Sequence, residues 1–339
     1  MGKHRVIVRK LRGAILITLC SIAIFGNATV FAATANKSSA APIGTNQTLK
    51  VSPLRTNITI APGDNGKVQT YVTTLTHAPI TIQPIENDFV AGDESGDPAI
   101  ILDPNSYAPT HSLKRFMVPL QNVTIPAGAT QEVDVNIEVP KTAQAGGYFG
   151  AIRFAPATPG GNTSVALGAS VASLILMTAP GPTVEQLTLT DFDVQQNGGT
   201  ASNFRTPDNL SLFMRFLNKG NLQEAPFGQV YVQKGKKVVY TYNFNEAQPQ
   251  DEILPDSARR WMIPIKGMGK FGKYVVGATL SYGSKGQSID ITKTVWIIPT
   301  GYIIATVVIV VLLVILIAGS WLFLKSYKRR ILRSSRRRY

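Results

Sequence analysis

The residues Glu-Val-Asp-Val-Asn-Ile-Glu-Val at positions 132–139 alternate between charged or polar side chains and β-branched apolar ones. Because the side chains of a β-strand point to its two faces in turn, this period of two predicts a strand with one buried face. Shorter runs of strand length, separated by proline and glycine, surround it. Those between positions 49 and 180 cover 57–60, 67–75, 80–85, 113–118, 148–154 and 164–177.

A second set of strand-like runs follows the segment Ala-Pro-Gly-Pro at 179–182, which predicts a domain boundary because two prolines so close cannot continue a central strand. The runs after it cover 210–216, 229–232, 237–244, 260–265, 273–281 and 288–296. Each half has about seven short strands, with turn signals about every ten residues. The sequence therefore predicts an all-β ectodomain of two tandem immunoglobulin-like β-sandwiches, at 49–180 and 181–298.

The N-terminus has the pattern of a secretory signal peptide. Five basic residues occur in the first twelve positions, an apolar run follows at 14–25, and small residues return before Ala32 and Ala35, where cleavage is expected. A retained N-terminal transmembrane helix is the weaker interpretation, because the apolar run is short. We therefore assign 1–35 to a signal peptide and 36–48, which is rich in Ala, Ser, Asn and Thr, to a flexible lead-in.

The C-terminal region predicts a membrane anchor, since no charged residue lies between Lys293 and Lys325. At about 1.5 Å rise per residue, 299–324 forms a helix long enough for a hydrocarbon core of about 30 Å. The expected interfacial aromatic residues are Trp296, Tyr302 and Trp321. The basic tail at 325–339 includes Lys325, Lys328, Arg329 and Arg330. A single-pass cell-membrane protein with its N-terminus outside and its C-terminus in the cytoplasm is predicted.

The strongly basic composition does not extend to the ectodomain. Of 34 Lys and Arg residues, five lie in 1–35 and eight in 325–339, which leaves 21 basic against 20 acidic residues between them. This balance gives no electrostatic argument for a nucleic-acid partner. The one cysteine, Cys20, lies within the signal, so the exported part has no disulfide and no thiolate metal site. A cysteine-free ectodomain of this size favours a bacterial surface.

Residues that carry catalysis are scarce. The expected mature chain has two histidines, His77 and His111, both in turn-like contexts, and it contains no nucleophile elbow, phosphate loop or histidine metal motif. We therefore expect a protein that is not an enzyme and uses no cofactor. Asp93, Glu94 and Asp97 are weak candidates for calcium, because their spacing departs from the twelve-residue calcium loop and a solvated hairpin tip explains them equally well.

Several motifs carry a resemblance to a known family. In the first half they are Val-Ser-Pro-Leu at 51–54, Ala-Pro-Gly-Asp at 61–64 and Val-Pro-Lys-Thr-Ala-Gln-Ala-Gly-Gly-Tyr-Phe-Gly-Ala-Ile at 139–152. In the second half they are Asn-Lys-Gly-Asn at 218–221, Pro-Phe-Gly at 226–228, Ile-Leu-Pro-Asp-Ser-Ala-Arg at 253–259 and Gly-Lys-Tyr at 272–274. The chain resembles the bacterial WxL-interacting surface proteins. The resemblance implies a peptidoglycan-binding first domain, a second domain that binds partner or host proteins, and no catalytic residues.

Three functions compete at this point. The first is a non-enzymatic scaffold at the membrane that binds cell-wall glycan or a secreted envelope protein. The second is a chaperone-like assembly factor that pairs an edge strand with a client strand. The third is a calcium-dependent adhesin. The candidate binding residues are Gly146, Gly147, Tyr148 and Arg153, because paired glycines admit a close partner and Tyr148 can stack on a sugar. The alternative is a tight turn with a core tyrosine.

The topology is testable with protease added to spheroplasts. Residues 36–293 are expected to be digested from outside, whereas an epitope tag placed after Tyr339 stays protected until the membrane is opened with detergent. Immunoblots against tags in both regions measure this. Protection of 36–293 in intact spheroplasts would contradict the predicted orientation.

Overall fold

The computed structural model describes residues 48–157 and 170–335, with side chains up to Tyr327. The predicted signal peptide, positions 36–47 of the lead-in and the first part of the predicted strand at 164–177 lie outside the described residues. The described chain is mostly β-sheet and ends in one apolar helix, as expected. In this described part of the chain, no sheet contains strands from both sides of position 180. We call the two halves the N-terminal sandwich (48–180) and the C-terminal sandwich (181–298).

The N-terminal sandwich consists of two sheets. Its strands are β1 (Leu49–Ser52), β2 (Arg55–Thr59), β3 (Asn65–Thr74), β4 (Ile80–Ala91), β5 (Pro98–Ile100), β6 (Val123–Ile125), β7 (Thr130–Glu138), β8 (Gly146–Pro156) and β9 (Val171–Ala179). One sheet has the order β1-β3-β7, and the other has β2-β9-β8-β4-β5 with β6 also paired to β4. The alternating stretch at 132–139 begins within β7 and extends one residue past it. Its apolar residues Val133, Val135 and Ile137 are buried between the sheets.

The prediction of a strand at 113–118 is wrong. The structure has a short 3₁₀ helix at Lys114–Phe116. Leu113 and Met117 on either side of it are buried in the N-terminal core. The backbone N–H of Lys114 donates to the carboxylate of Asp88 at 2.8 Å instead of to a neighbouring strand. The apolar pattern therefore predicted the burial of this segment correctly but not its backbone conformation.

The C-terminal sandwich also has two sheets. Its strands are β10 (Leu187–Gln196), β11 (Gly199–Thr200), β12 (Asn203–Phe204), β13 (Leu210–Asn218), β14 (Phe227–Lys234), β15 (Lys237–Phe244), β16 (Ala258–Pro264), β17 (Gly272–Tyr282) and β18 (Gln287–Ile297). The sheet orders are β11-β10-β13-β16 and β12-β18-β17-β14-β15. Buried residues from both sheets, among them Phe216, Val232 and Tyr274, form one core cluster. The assignment of both halves as immunoglobulin-like stays a prediction.

The helix α1 (Thr300–Ser335) follows β18 after two residues. Its part from Thr300 to Tyr327 is long and apolar enough to cross a membrane. The described side chains on it are exposed, and Tyr302 in its first turn stacks on Phe271 of the C-terminal sandwich. The helix continues past the predicted end at 324 into the basic tail, because Lys, Arg and Leu are good helix formers and no glycine or proline interrupts them.

The N-terminal core can be tested by truncating one large side chain. Phe154 is fully buried between the two sheets. We expect Phe154→Ala to lower the free energy of unfolding by about 3–5 kcal/mol, since transfer and cavity terms add. Leu75→Ala is the control, because Leu75 is 52% exposed. Denaturant unfolding of the full chain in detergent measures both variants, and equal midpoints would contradict the core assignment.

Candidate functional site

The paired glycines of the predicted binding segment lie where the two sandwiches meet. The backbone N–H of Gly147 donates to the carbonyl of Asn221 at 2.7 Å, and the Asn221 side-chain amide donates to the carbonyl of Ala145 at 2.9 Å. Gly146 has a φ of +145°, and a Cβ added there would lie 2.8 Å from the Asn221 carbonyl oxygen. The close approach that these glycines allow is therefore used by the chain itself.

Tyr148 and Arg153 make different contacts from those two glycines. Tyr148 is partly buried, its ring centroid is 4.9 Å from that of Phe116, and its hydroxyl donates to the carbonyl of Gln144 at 2.9 Å. Arg153 is only 5% exposed. The four candidate residues thus form no common accessible surface, and of them Tyr148 alone presents a partly open side chain. A binding role for these residues stays a prediction.

The acidic loop that includes the calcium candidates belongs to the N-terminal sandwich and forms hydrogen bonds to the C-terminal sandwich. Glu94 accepts from the Arg215 guanidinium at 2.6 Å, and its backbone carbonyl accepts from the N–H of Arg260 at 2.8 Å. The hydrogen bond from Arg215 holds the pKa of Glu94 below its usual value. Asp93 and Asp97 both hydrogen-bond Ser95. Among the described residues no group of three or more metal-ligating side chains is present.

A second set of polar contacts joins the sandwiches. The guanidinium of Arg55 donates to the carbonyl of Gln250 at 2.9 Å, and the amide of Asn57 donates to the Glu252 carboxylate at 2.8 Å. Burial raises the pKa of Glu252, and the neighbouring Arg55 opposes that shift. With the contacts of Glu94 and Gly147, these bonds fix the two sandwiches to each other at several separated points.

The predicted membrane-anchor residues cluster on and just before α1. Trp296 is 40% exposed at the end of β18, and Tyr302 is exposed in the first turn of the helix. Trp321 is exposed near its other end, with the Lys325 ammonium 4.7 Å from its ring centroid. Lys328, Arg329 and Arg330 lie on the same helix, but their side chains are outside the described part.

A groove between β15 and β16 was missed by sequence reasoning. It encloses about 310 Å³, and its walls include Tyr242, Phe244, Trp261 and Met262. Tyr242 is paired with the buried Val230, so its side chain lies on the core face of its sheet, yet it is 41% exposed. The two sheets of the C-terminal sandwich therefore do not close over the core along this side.

The strands on both sides of the groove are edge strands. Within 48–157 and 170–335, β15 pairs only with β14, and β16 pairs only with β13. The N–H of Arg260 points away from β13, because it donates to Glu94. Since backbone groups alternate in direction along an antiparallel strand, the N–H and C=O of Met262 point the same way, and no backbone partner for them occurs in the described ranges. Met262 thus offers free main-chain groups at the groove.

Both ends of the groove are closed by hydrogen bonds. At one end the Tyr240 hydroxyl donates to the carbonyl of Pro264 at 3.3 Å. At the other end the Asn245 amide donates to the carbonyls of Pro226 and Asp251, each at 2.9 Å. The first contact joins β15 to the end of β16, and the second joins the end of β15 to the start of β14 and to the loop that leads to β16. The groove is therefore a defined opening and not a frayed edge.

Comparison with known proteins gives distant similarities only. No protein-family model and no curated protein sequence matches this chain. A chain of the chaperone–tip adhesin complex of CFA/I fimbriae is 13% identical, with a TM-score of 0.38, over 72% of this chain and 98% of that one. The class 5 fimbriae chaperone CfaA is 12% identical, with a TM-score of 0.38, over 74% and 99%. The E. coli chaperone DraB is 14% identical, with a TM-score of 0.30, over 73% and 96%.

Glu224 is a buried carboxyl group beside the junction. It is 3% exposed, and its backbone N–H and C=O both bond to Ile253. Burial, followed by the nearby Glu185 carboxylate, raises the pKa of Glu224 to about 7, although a hydrogen bond from the backbone of Gly283 opposes the shift. A group with this pKa changes its charge near neutral pH.

The raised pKa of Glu224 makes stability depend on pH. Its pKa is about 7 in the folded chain, against 4.5 for an ordinary glutamate, so the folded state binds the proton more tightly. The contribution of Glu224 to stability is therefore greatest below pH 4.5, falls as the pH rises through about 7, and is lost above that. We expect Glu224→Gln to be more stable than the parent by about 1–3 kcal/mol at pH 8 and equal to it at pH 4.

Thermal unfolding of the full chain across this pH range measures the effect. Glu246→Gln is the matched control, because Glu246 is exposed and carries the same substitution. If parent and Glu224→Gln lose stability in parallel between pH 4 and pH 8, the proton is bound elsewhere.

Proposed function

We propose that this protein is a membrane-anchored, non-catalytic binding protein of the cell surface. It holds an extended segment of a secreted envelope protein by adding that segment as a strand in the groove between β15 and β16. The observation that carries the proposal is the pair of edge strands around the exposed, core-facing side chain of Tyr242, with unpaired main-chain groups at Met262 on one of them. An edge strand presents unpaired backbone groups that a partner strand can satisfy.

The dimensions of the groove fit a short strand. β15 has eight residues, so at about 3.3 Å per residue it offers an edge of about 26 Å. A strand bound there would direct every second side chain toward Tyr242 and Trp261, and the remaining side chains toward water. The expected partner segment therefore alternates apolar and polar residues, with the apolar ones covering the part of the core that Tyr242 now exposes.

The chaperone-like function and the scaffold function differ in what happens after binding. A chaperone releases its client strand to another subunit, whereas a scaffold keeps it. The same groove serves both, and the turnover of the complex separates them. Membership of the WxL-interacting family belongs to this proposal as well and is supported by the motifs at 139–152 and 253–259. Binding of wall glycan by the N-terminal sandwich stays a separate expectation from that resemblance.

The proposal can be tested by site-specific crosslinking in the cells that make the protein. A photoreactive phenylalanine analogue replaces the exposed Thr241 on β15. We expect a crosslink to one secreted envelope protein, at an internal segment of alternating pattern. Met262→Pro removes the free N–H at the groove without touching the β13 ladder, so it should weaken binding of the corresponding synthetic peptide about tenfold.

Met262→Ala is the matched control, because it shortens the same side chain and keeps the N–H. Its binding to the peptide, measured by calorimetry, is expected to stay within about threefold of the parent, since a main-chain pairing does not need this exposed side chain. Unfolding midpoints of both variants show whether the sandwich is intact. Undiminished crosslinking in Met262→Pro would overturn strand addition at this groove. So would a parent protein that binds wall glycan and crosslinks to no envelope protein.

A further inference from the structure

The end of the C-terminal sandwich next to α1 is built from loops that are far apart in sequence. β18 ends at Ile297, β17 begins beside it at Gly272, and β14 ends nearby at Lys234. On the other sheet β16 ends at Pro264 and β13 begins opposite it at Leu210. We call the loops 205–209, 234–237 and 265–271, together with Lys273 and Trp296, the basal face.

The basal face lies close to the start of the helix. Two residues, Ile298 and Pro299, separate β18 from α1, and two residues span at most about 7 Å. The rings of Phe271 and Tyr302 are stacked, with centroids 4.9 Å apart and planes inclined by 26°. This contact ties the loop 265–271 to the first turn of α1. A bilayer around the helix therefore places its headgroups within about one Debye length, 8–10 Å, of the basal face.

The basal face is strongly basic. It contains seven basic residues, all exposed, and one acidic residue, Asp208. The basic ones are Arg205, Lys234, Lys236, Lys237, Lys266, Lys270 and Lys273. None of them forms a salt bridge within the described residues. Like charges held together by the fold repel one another, so a negatively charged partner is favoured there.

Aromatic residues accompany these charges. Phe271 is 49% exposed and Trp296 is 40% exposed. The ammonium of Lys273 lies 6.0 Å from the Trp296 ring centroid. Exposed aromatic side chains are typical of surfaces that lie at a membrane–water interface. Lysines fit the same place, because their methylene chains are apolar and their ammonium groups reach water. A soluble polyanion would need the charges, but it would not need exposed phenylalanine and tryptophan beside a membrane helix.

We propose that the basal face binds the anionic headgroups of phospholipids in the outer leaflet around α1. This inference rests on the membrane anchoring in the proposed function. Lipid binding at several loops would stop the ectodomain from tilting on its two-residue connection. Because β15 begins at Lys237 on the basal face, the groove between β15 and β16 would then be held at a fixed height and direction above the membrane.

The test uses the full chain in nanodiscs and follows amide hydrogen exchange in the loop 265–271. Discs of phosphatidylcholine alone are compared with discs of phosphatidylcholine and phosphatidylglycerol. We expect exchange about tenfold slower in the anionic discs, because bound headgroups hinder opening of the loop. About 1 M NaCl, which shortens the Debye length to about 3 Å, should remove most of the difference.

Charge-reversal variants identify the surface responsible. Arg205→Glu, Lys236→Glu and Lys237→Glu are combined, which leaves the measured loop unchanged in sequence. The control combines Lys50→Glu, Lys219→Glu and Lys285→Glu, three exposed lysines outside the basal face. The slowing in anionic discs is expected to disappear in the first variant and to persist in the control.

The outcomes are distinct. A chain that does not stay with the discs overturns the membrane anchor and this inference with it. A chain that stays with the discs but exchanges equally in both lipids overturns lipid binding alone. Slowing by soluble polyglycerol phosphate added to phosphatidylcholine discs, without slowing in anionic discs, would assign the basal face to a wall polymer and overturn the proposal.

Discussion

Burial of one apolar face of each sheet is the interaction on which the two sandwiches depend. Residues 48–298 contain no cysteine, so no disulfide supports the two sandwiches. Val135, Ile152 and Phe154 in one core, and Phe216, Val232 and Tyr274 in the other, are fully or almost fully buried between facing sheets. Because the hydrophobic effect is not directional, burial of these side chains makes each sandwich compact but does not choose partners. The register of the strands determines which residues lie opposite each other.

Polar contacts then fix how the sandwiches are arranged. Arg215 on β13 binds Glu94 of the acidic loop, and Asn221 binds the backbone beside Gly147. Ion pairs at a surface stabilise a fold only modestly, but their geometry is specific. The junction therefore sets orientation more than stability. It also engages Gly147 of the predicted binding segment and Glu94 of the calcium candidates.

The groove and the basal face both lie on the C-terminal sandwich and are exposed among the described residues. β15 leads from one to the other, since it starts at Lys237 on the basal face and runs along the groove to Phe244. A protein partner and a membrane would thus contact the same strand at different places. Anchoring at the basal face would present the groove to partners that arrive from the wall side.

The sequence by itself determined the mostly β architecture, the apolar helix and the burial of β7, because each follows from local periodicity or from an apolar run. It could not determine the 3₁₀ turn at 114–116, where a contact with Asp88 replaces strand pairing. It also could not place the groove, since edge strands are defined by sheet order. The nearly balanced charge of residues 36–324 gave no sign of the basal face for a related reason, because only folding brings Arg205, Lys236 and Lys270 together from positions far apart along the chain.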